Sequence, residues 1–197
     1  MTTPDIISAL NPVIETFEKL NVSYYIGGSV ASSIYGMARS TLDVDIVTDI
    51  QEFHVPLLMA HLQEEYYIDE DMIKEAIQHH ASFNLIHLAT AIKIDVFIYT
   101  GDPHQQKTFE RRLQDRIVEN QDKKYFFPSP EDIIIIKLQW FEMGKRISER
   151  QWLDIIGVIK LQGKALDLQY LQSWGTKLGL NDLLLKAFKE AGFELEK

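Results

Sequence analysis

The chain contains no cysteine, which excludes disulfide bonds, thiolate nucleophiles and cysteine-ligated zinc. No apolar run is longer than Ile133–Ile136, far short of the roughly 20 apolar residues that span a bilayer, so no membrane association is expected. The opening stretch MTTPDIISALNP lacks the basic region and apolar core of a secretory leader, and the expected location is the cytoplasm. Positive charge is in the minority: 20 Lys and Arg against 29 Asp and Glu leave a formal net charge of −9. That balance argues against broad, sequence-independent binding to a nucleic-acid backbone. It allows a local basic groove and is compatible with a cationic small substrate, but it is also the common state of soluble proteins, and that plainer reading stands ahead. There is no Gly-x-x-x-x-Gly-Lys-Ser/Thr loop, no Gly-x-Gly-x-x-Gly turn and no Gly-x-Ser-x-Gly elbow, so P-loop, dinucleotide-binding and serine-hydrolase chemistry drop out. His79, His80 and His87 have no spaced partner that would complete a zinc site.

What remains is a chain of 197 residues, 46% hydrophobic and 25% charged, the composition of an ordinary globular protein with enough length for a sizeable core. Apolar spacing predicts a helix over 5–20, starting or kinking at Pro12. A strand at Tyr24–Ile26, a turn at Gly27-Gly28 and a helix opened by a Ser29 cap follow. Further expectations are a strand at Asp43–Val47, a helix over 51–65, a strand at Tyr66–Ile68, a short helix over Met72–Gln78, and a hairpin of Ser82–His87 with Ile92–Tyr99. A polar helix is expected over His104–Glu119. Its Lys107, Arg111, Arg112 and Arg116 read as a solvated face, with an RNA- or acceptor-binding face as the alternative. The proline-rich run Phe126–Pro130 marks a boundary, giving domains 1–127 and 128–197. Beyond it, four helices are expected: one capped by Ser129 or Asp132 and ended by Gly144, one opened by a Ser148/Gln151 capping box and closed by Gly163, then 168–178 and 181–191. Trp140, Phe141, Trp152 and Trp174 are expected in the core of this helical part.

The informative stretch is YYIGGSVASSIYGMARSTLDVDIV. Side chains alternate faces along a strand, so Asp43 and Asp45 project together while Val44 and Ile46 turn to the core. Two carboxylates held close repel unless a cation lies between them, and hard oxygen ligands suit Mg²⁺, which bridges to substrate phosphates. Gly27, Gly28 and Ser29 place backbone N–H groups and a helix start where an anion could sit, with no Cβ in the way. Asp95, in KIDVFI, lies in another period-2 run and shares its face with Lys93 and Phe97. Lys137 is embedded among Ile133–Ile136 and Leu138, where an unpaired ammonium would be costly; it should face a cleft, an anion or an acidic partner.

This pattern resembles the nucleotidyltransferase fold of the DNA polymerase β-like superfamily: an apolar residue, Gly, Gly or Ser, about ten residues, then Asp-apolar-Asp-apolar. Members include aminoglycoside and lincosamide nucleotidyltransferases, CCA-adding enzymes and nucleotidyltransferase toxins. The resemblance covers residues 24–98 well and 129–155 more weakly. It implies an α+β fold, a nucleotidyltransferase sheet flanked by helices and followed by a C-terminal helical bundle. It also implies a Mg²⁺-dependent enzyme, with Mn²⁺ as substitute, that moves an NMP from an NTP to a hydroxyl acceptor and releases pyrophosphate. Asp43, Asp45 and Asp95 would be the catalytic metal ligands, and Gly27, Gly28, Ser29, Arg39, Thr41, Lys137 and Asp154 would contact the nucleotide. For Arg39 a surface salt bridge, and for Lys137 and Asp154 an ion pair joining two helices, are the structural alternatives. The acceptor stays open between small molecule, tRNA and protein, and an antitoxin partner is among the partners implied. The competing reading is a non-catalytic nucleotide-binding or toxin–antitoxin-type protein on the same fold.

Overall fold

In the computed structural model, residues 3–119 and 122–194 are described; the outer ends of the two expected domains lie outside these residues. The chain divides into two compact units, one of Met1–Val30 with Ser40–Phe127 and the other of Ala31–Arg39 with Pro128–Lys197.

The first unit is organised by period-2 strands. In β2 (Asp43–Thr48), Val44, Ile46 and Thr48 are buried while Asp43, Asp45 and Val47 are half-exposed. In β5 (Lys93–Ile98), Ile94, Val96 and Ile98 are buried while Asp95 and Phe97 are half-exposed. Each Ile or Val buried in this way contributes about 1.5–3 kcal/mol relative to exposure, which pins the register: a one-residue slip would turn the carboxylates inward. With β1 (Tyr24–Ile26), β4 (Ser82–His87) and β3 (Tyr66–Tyr67), these strands form a mixed five-stranded sheet of order β1-β2-β5-β4-β3. Only the central β2–β5 pair is parallel. Helices α1 (Thr3–Lys19), α3 (Val55–Leu62) and α4 (Glu70–Gln78) pack in succession, and α4 meets β4. The buried Tyr66 hydroxyl donates to the Ala9 carbonyl at 2.6 Å, tying the sheet edge to α1.

Several expectations are corrected. Helix α1 runs through Pro12 rather than starting there. The carbonyl that loses its donor belongs to exposed Ser8, where water can serve it. Ser29 is not a cap: α2 (Gly28–Tyr35) starts one residue earlier. Helix α5 (Pro103–Arg111) opens on Asp102, whose carboxylate accepts from the His104 and Gln105 N–H groups at 2.9 and 3.0 Å. It then stops, and Leu113–Asp115 forms β6, paired antiparallel with β7 (Tyr125–Phe127). The proposed basic stripe is therefore split. Arg112 leaves the helix and stacks its guanidinium over Phe126, 4.7 Å from the ring centre, a favourable cation–π contact.

The second unit holds four helices after the segment Ala31–Arg39: α6 (Pro130–Met143), α7 (Glu149–Gln162), α8 (Leu168–Lys177) and α9 (Asn181–Ala191). The expected caps are present, with Ser129 accepting from the Asp132 N–H and Ser148 from the Gln151 N–H. α6 packs on α7 and α8, and α9 on α7 and α8. Phe141 is buried, but Trp140 is 47% exposed and is not a core residue. No helix among the described residues is long and apolar enough to cross a membrane.

Candidate active site

Parallel pairing of β2 with β5 sets Asp45 opposite Asp95 and Asp43 opposite Lys93. Neighbouring strands lie about 4.8 Å apart, so three carboxylates and one ammonium share a small area of one sheet face. Like charges directly opposite each other destabilise a sheet, and Asp43 and Asp95 each have a distinct side-chain partner.

Asp45 lies against the start of α2. The Gly27 N–H donates to the Asp45 carbonyl at 2.8 Å. Gly28 has φ +57°, and a Cβ built there would fall 1.7 Å from Asp45 Oδ2. Glycine is required at 28 by backbone conformation and by the carboxylate that fills the side-chain space. A carboxylate beside a helix N-terminus is electrostatically favourable.

Asp43 is held by Thr41, whose Oγ1 donates to Asp43 Oδ1 at 2.7 Å. Thr41 Oγ1 also lies 2.9 Å from Ser29 Oγ. A hydroxyl has a single proton; with the Thr41 proton on the carboxylate, the Ser29 hydroxyl donates to Thr41. The result is a buried relay from the first turn of α2 through Thr41 to Asp43.

Asp95 is held by Lys93, with Nζ 2.7 Å from Oδ2. The Lys93 ammonium is held above the usual lysine range, first by its hydrogen bond to Asp95. The charges of Asp95, Asp43 and Asp45 act in the same direction against a partial loss of hydration.

Among the described residues, no three Asp, Glu, His or Cys side chains are gathered tightly enough to cage a cation as they stand. Asp43 is turned to Thr41 and Asp95 to Lys93. The donor set nonetheless fits a hard divalent cation: oxygen-only ligands from adjacent strands, with an ammonium already standing in as the cation beside them.

Arg39, Lys137 and Asp154 meet within the second unit. The Asp154 carboxylate is 4% exposed and accepts from Arg39 Nε at 2.9 Å, Arg39 Nη2 at 3.2 Å and Lys137 Nζ at 2.8 Å. Burial alone would raise its pKa. The Arg39 hydrogen bonds and the Lys137 charge and hydrogen bond reverse this and hold the carboxyl below the usual aspartate range. The Lys137–Asp154 pair considered from the sequence is formed, joining α6 to α7, and Arg39 is a third member that spacing did not reveal. Its segment is seated on α7: Gln162 Nε2 donates to the Tyr35 carbonyl at 2.8 Å, and a Cβ at Gly157 would lie 3.2 Å from the Met37 nitrogen. Gly157, inside a helix, was the signal of close backbone approach.

No protein-family model and no curated protein matches the sequence. Solved structures do match. A nucleotidyltransferase-like antigenic protein from Paracoccidioides brasiliensis superposes with TM-score 0.55 at 19% identity, covering 97% of this chain and 94% of that one. The antibiotic-resistance factor ANT(2'')-Ia superposes with TM-score 0.57 at 11% identity, covering 94% of this chain and 97% of its own. At these identities the likeness is one of fold, and the chain has the nucleotidyltransferase fold.

Proposed function

We propose that the protein is a Mg²⁺-dependent nucleotidyltransferase that transfers a nucleoside monophosphate from an NTP to a hydroxyl acceptor. The observation that carries this reading is the β2–β5 register, which sets Asp43, Asp45 and Asp95 on one sheet face next to the glycine-led start of α2. The shared fold of the two solved structures, both named for nucleotidyl transfer or antibiotic resistance, supports it.

In this mechanism the NTP phosphates lie against the α2 N-terminus, using the N–H groups and dipole of a helix start and the Ser29 hydroxyl. Asp43, Asp45 and Asp95 would hold the divalent cation, with Asp43 oriented by Thr41. When bound, Mg²⁺ supplies charge neutralisation at the α-phosphate and the departing pyrophosphate. The acceptor oxygen forms the new bond to the α-phosphorus, the α–β anhydride bond breaks, and the hydroxyl proton passes to the Asp95 carboxylate. Within the second unit, the Arg39–Asp154–Lys137 group carries one more positive than negative charge, which suits an anion. The acceptor class is open to a small molecule, a tRNA end or a protein hydroxyl.

The test uses α-labelled NTPs with Mg²⁺ or Mn²⁺ and panels of aminoglycosides, tRNA and cellular protein. Pyrophosphate release with label transfer is expected. An Asp45→Asn variant should fall by about 10²–10³-fold, the scale of losing a key electrostatic group. Full activity in that variant would refute the assignment.

A further inference from the structure

Lys93 lies on the carboxylate face and carries a charge that the mechanism above does not use. It is the cross-strand partner of Asp43, two residues from Asp95 and on the same face, with its ammonium 2.7 Å from Asp95 Oδ2. The charges of all three aspartates act on it. Without a cation, Asp45 and Asp95 would stand directly opposite each other on adjacent strands, an arrangement that repels. Lys93 removes that repulsion. Yet its side chain is 46% exposed, and an ion pair that half-solvated is weak and easily exchanged.

We propose that Lys93 is a positioning residue: an internal counter-ion that holds Asp95 and must swing into solvent before the carboxylates close on a divalent cation. This rests on the nucleotidyltransferase reading. The ammonium on Asp95 engages an oxygen that the metal would need. The cost of expelling Lys93 is subtracted from metal affinity, so the site would load chiefly when an NTP brings additional phosphate oxygens to the cation.

The experiment measures Mn²⁺ binding to the full chain without nucleotide, following the free-ion paramagnetic resonance signal. The variants are Lys93→Met, Lys93→Arg, Asp45→Asn and, as a charge control remote from the site, Lys74→Met. Lys93→Met should bind Mn²⁺ about tenfold more tightly than the unaltered protein, because a neighbouring positive charge is gone. Lys93→Arg and Lys74→Met should stay within about twofold. The rise in melting temperature on adding Mn²⁺ should also be larger in Lys93→Met. Should that variant lose native circular dichroism, Lys93→Gln takes its place. Unchanged or weaker Mn²⁺ binding without Lys93, while the unaltered protein binds and Asp45→Asn does not, overturns this inference alone. Absence of binding in every protein overturns it together with the metal-dependent reading.

Discussion

Gly28 shows what a single residue decides. A Gly-Gly-Ser turn at the end of a strand is consistent with a phosphate cradle, but the structure gives glycine a second reason: the Asp45 carboxylate fills the space of a side chain. Gly28→Ala would have to relieve a Cβ placed only 1.7 Å from Asp45 Oδ2 and adopt φ +57°, a conformation that costs a non-glycine residue about 1–3 kcal/mol. The expected outcome is a displaced Asp45, with loss of Mn²⁺ binding and of transfer activity and a fall in stability of about that size. Urea unfolding and Mn²⁺ titration of the same preparation check both. Thr41, expected to contact the nucleotide, also links Ser29 to Asp43 through its hydroxyl, a contact that orients a carboxylate.

At the scale of elements, the strands were legible because alternation has a period of two and burial enforces it. DVDIV and KIDVFI could be aligned to their core and solvent faces before any coordinates. Helices with strong caps, such as those opened by Ser129 and Ser148, were legible for a similarly local reason. The run His104–Glu119 was not, since the β6–β7 pairing that ends α5 is a non-local contact. Asp154 joins α6, α7 and the segment ending at Arg39. Asp154→Ala would leave Lys137, itself 7% exposed, without its carboxylate. Removing one partner of a buried ion pair costs about 3–5 kcal/mol, and the urea midpoint should drop accordingly. Lys137→Met should be milder, because the hydrophobic replacement suits the site and Arg39 still pairs with Asp154.

For the whole molecule, the pH dependence of stability follows from the sign of the Asp154 shift. Its carboxyl is held below the usual aspartate value in the folded state, so on acidification the unfolded chain takes up the proton first. The stabilisation from Asp154 is therefore complete above about pH 4, the ordinary aspartate range, and disappears as pH falls through the lower folded value. Chemical denaturation at pH 7 and pH 3 should show a loss on acidification that is smaller in Asp154→Asn; an equal loss in both would place the acid sensitivity elsewhere.

The sequence by itself determined the strand faces, the Ser129 and Ser148 helix caps, the presence of three acids on strands and the glycine turn that leads into α2. All of these depend on neighbours a few residues away and on a periodicity that hydrophobic burial imposes. Only the tertiary structure decided that β2 pairs with β5, and with it that Asp45 stands opposite Asp95, that Lys93 reaches Asp95 from beside Asp43, and that Arg39 reaches Asp154 across 115 residues of chain. The physical reason is that strand pairing and charge pairing are set by which surfaces the folded core brings together, and sequence separation carries no record of that distance.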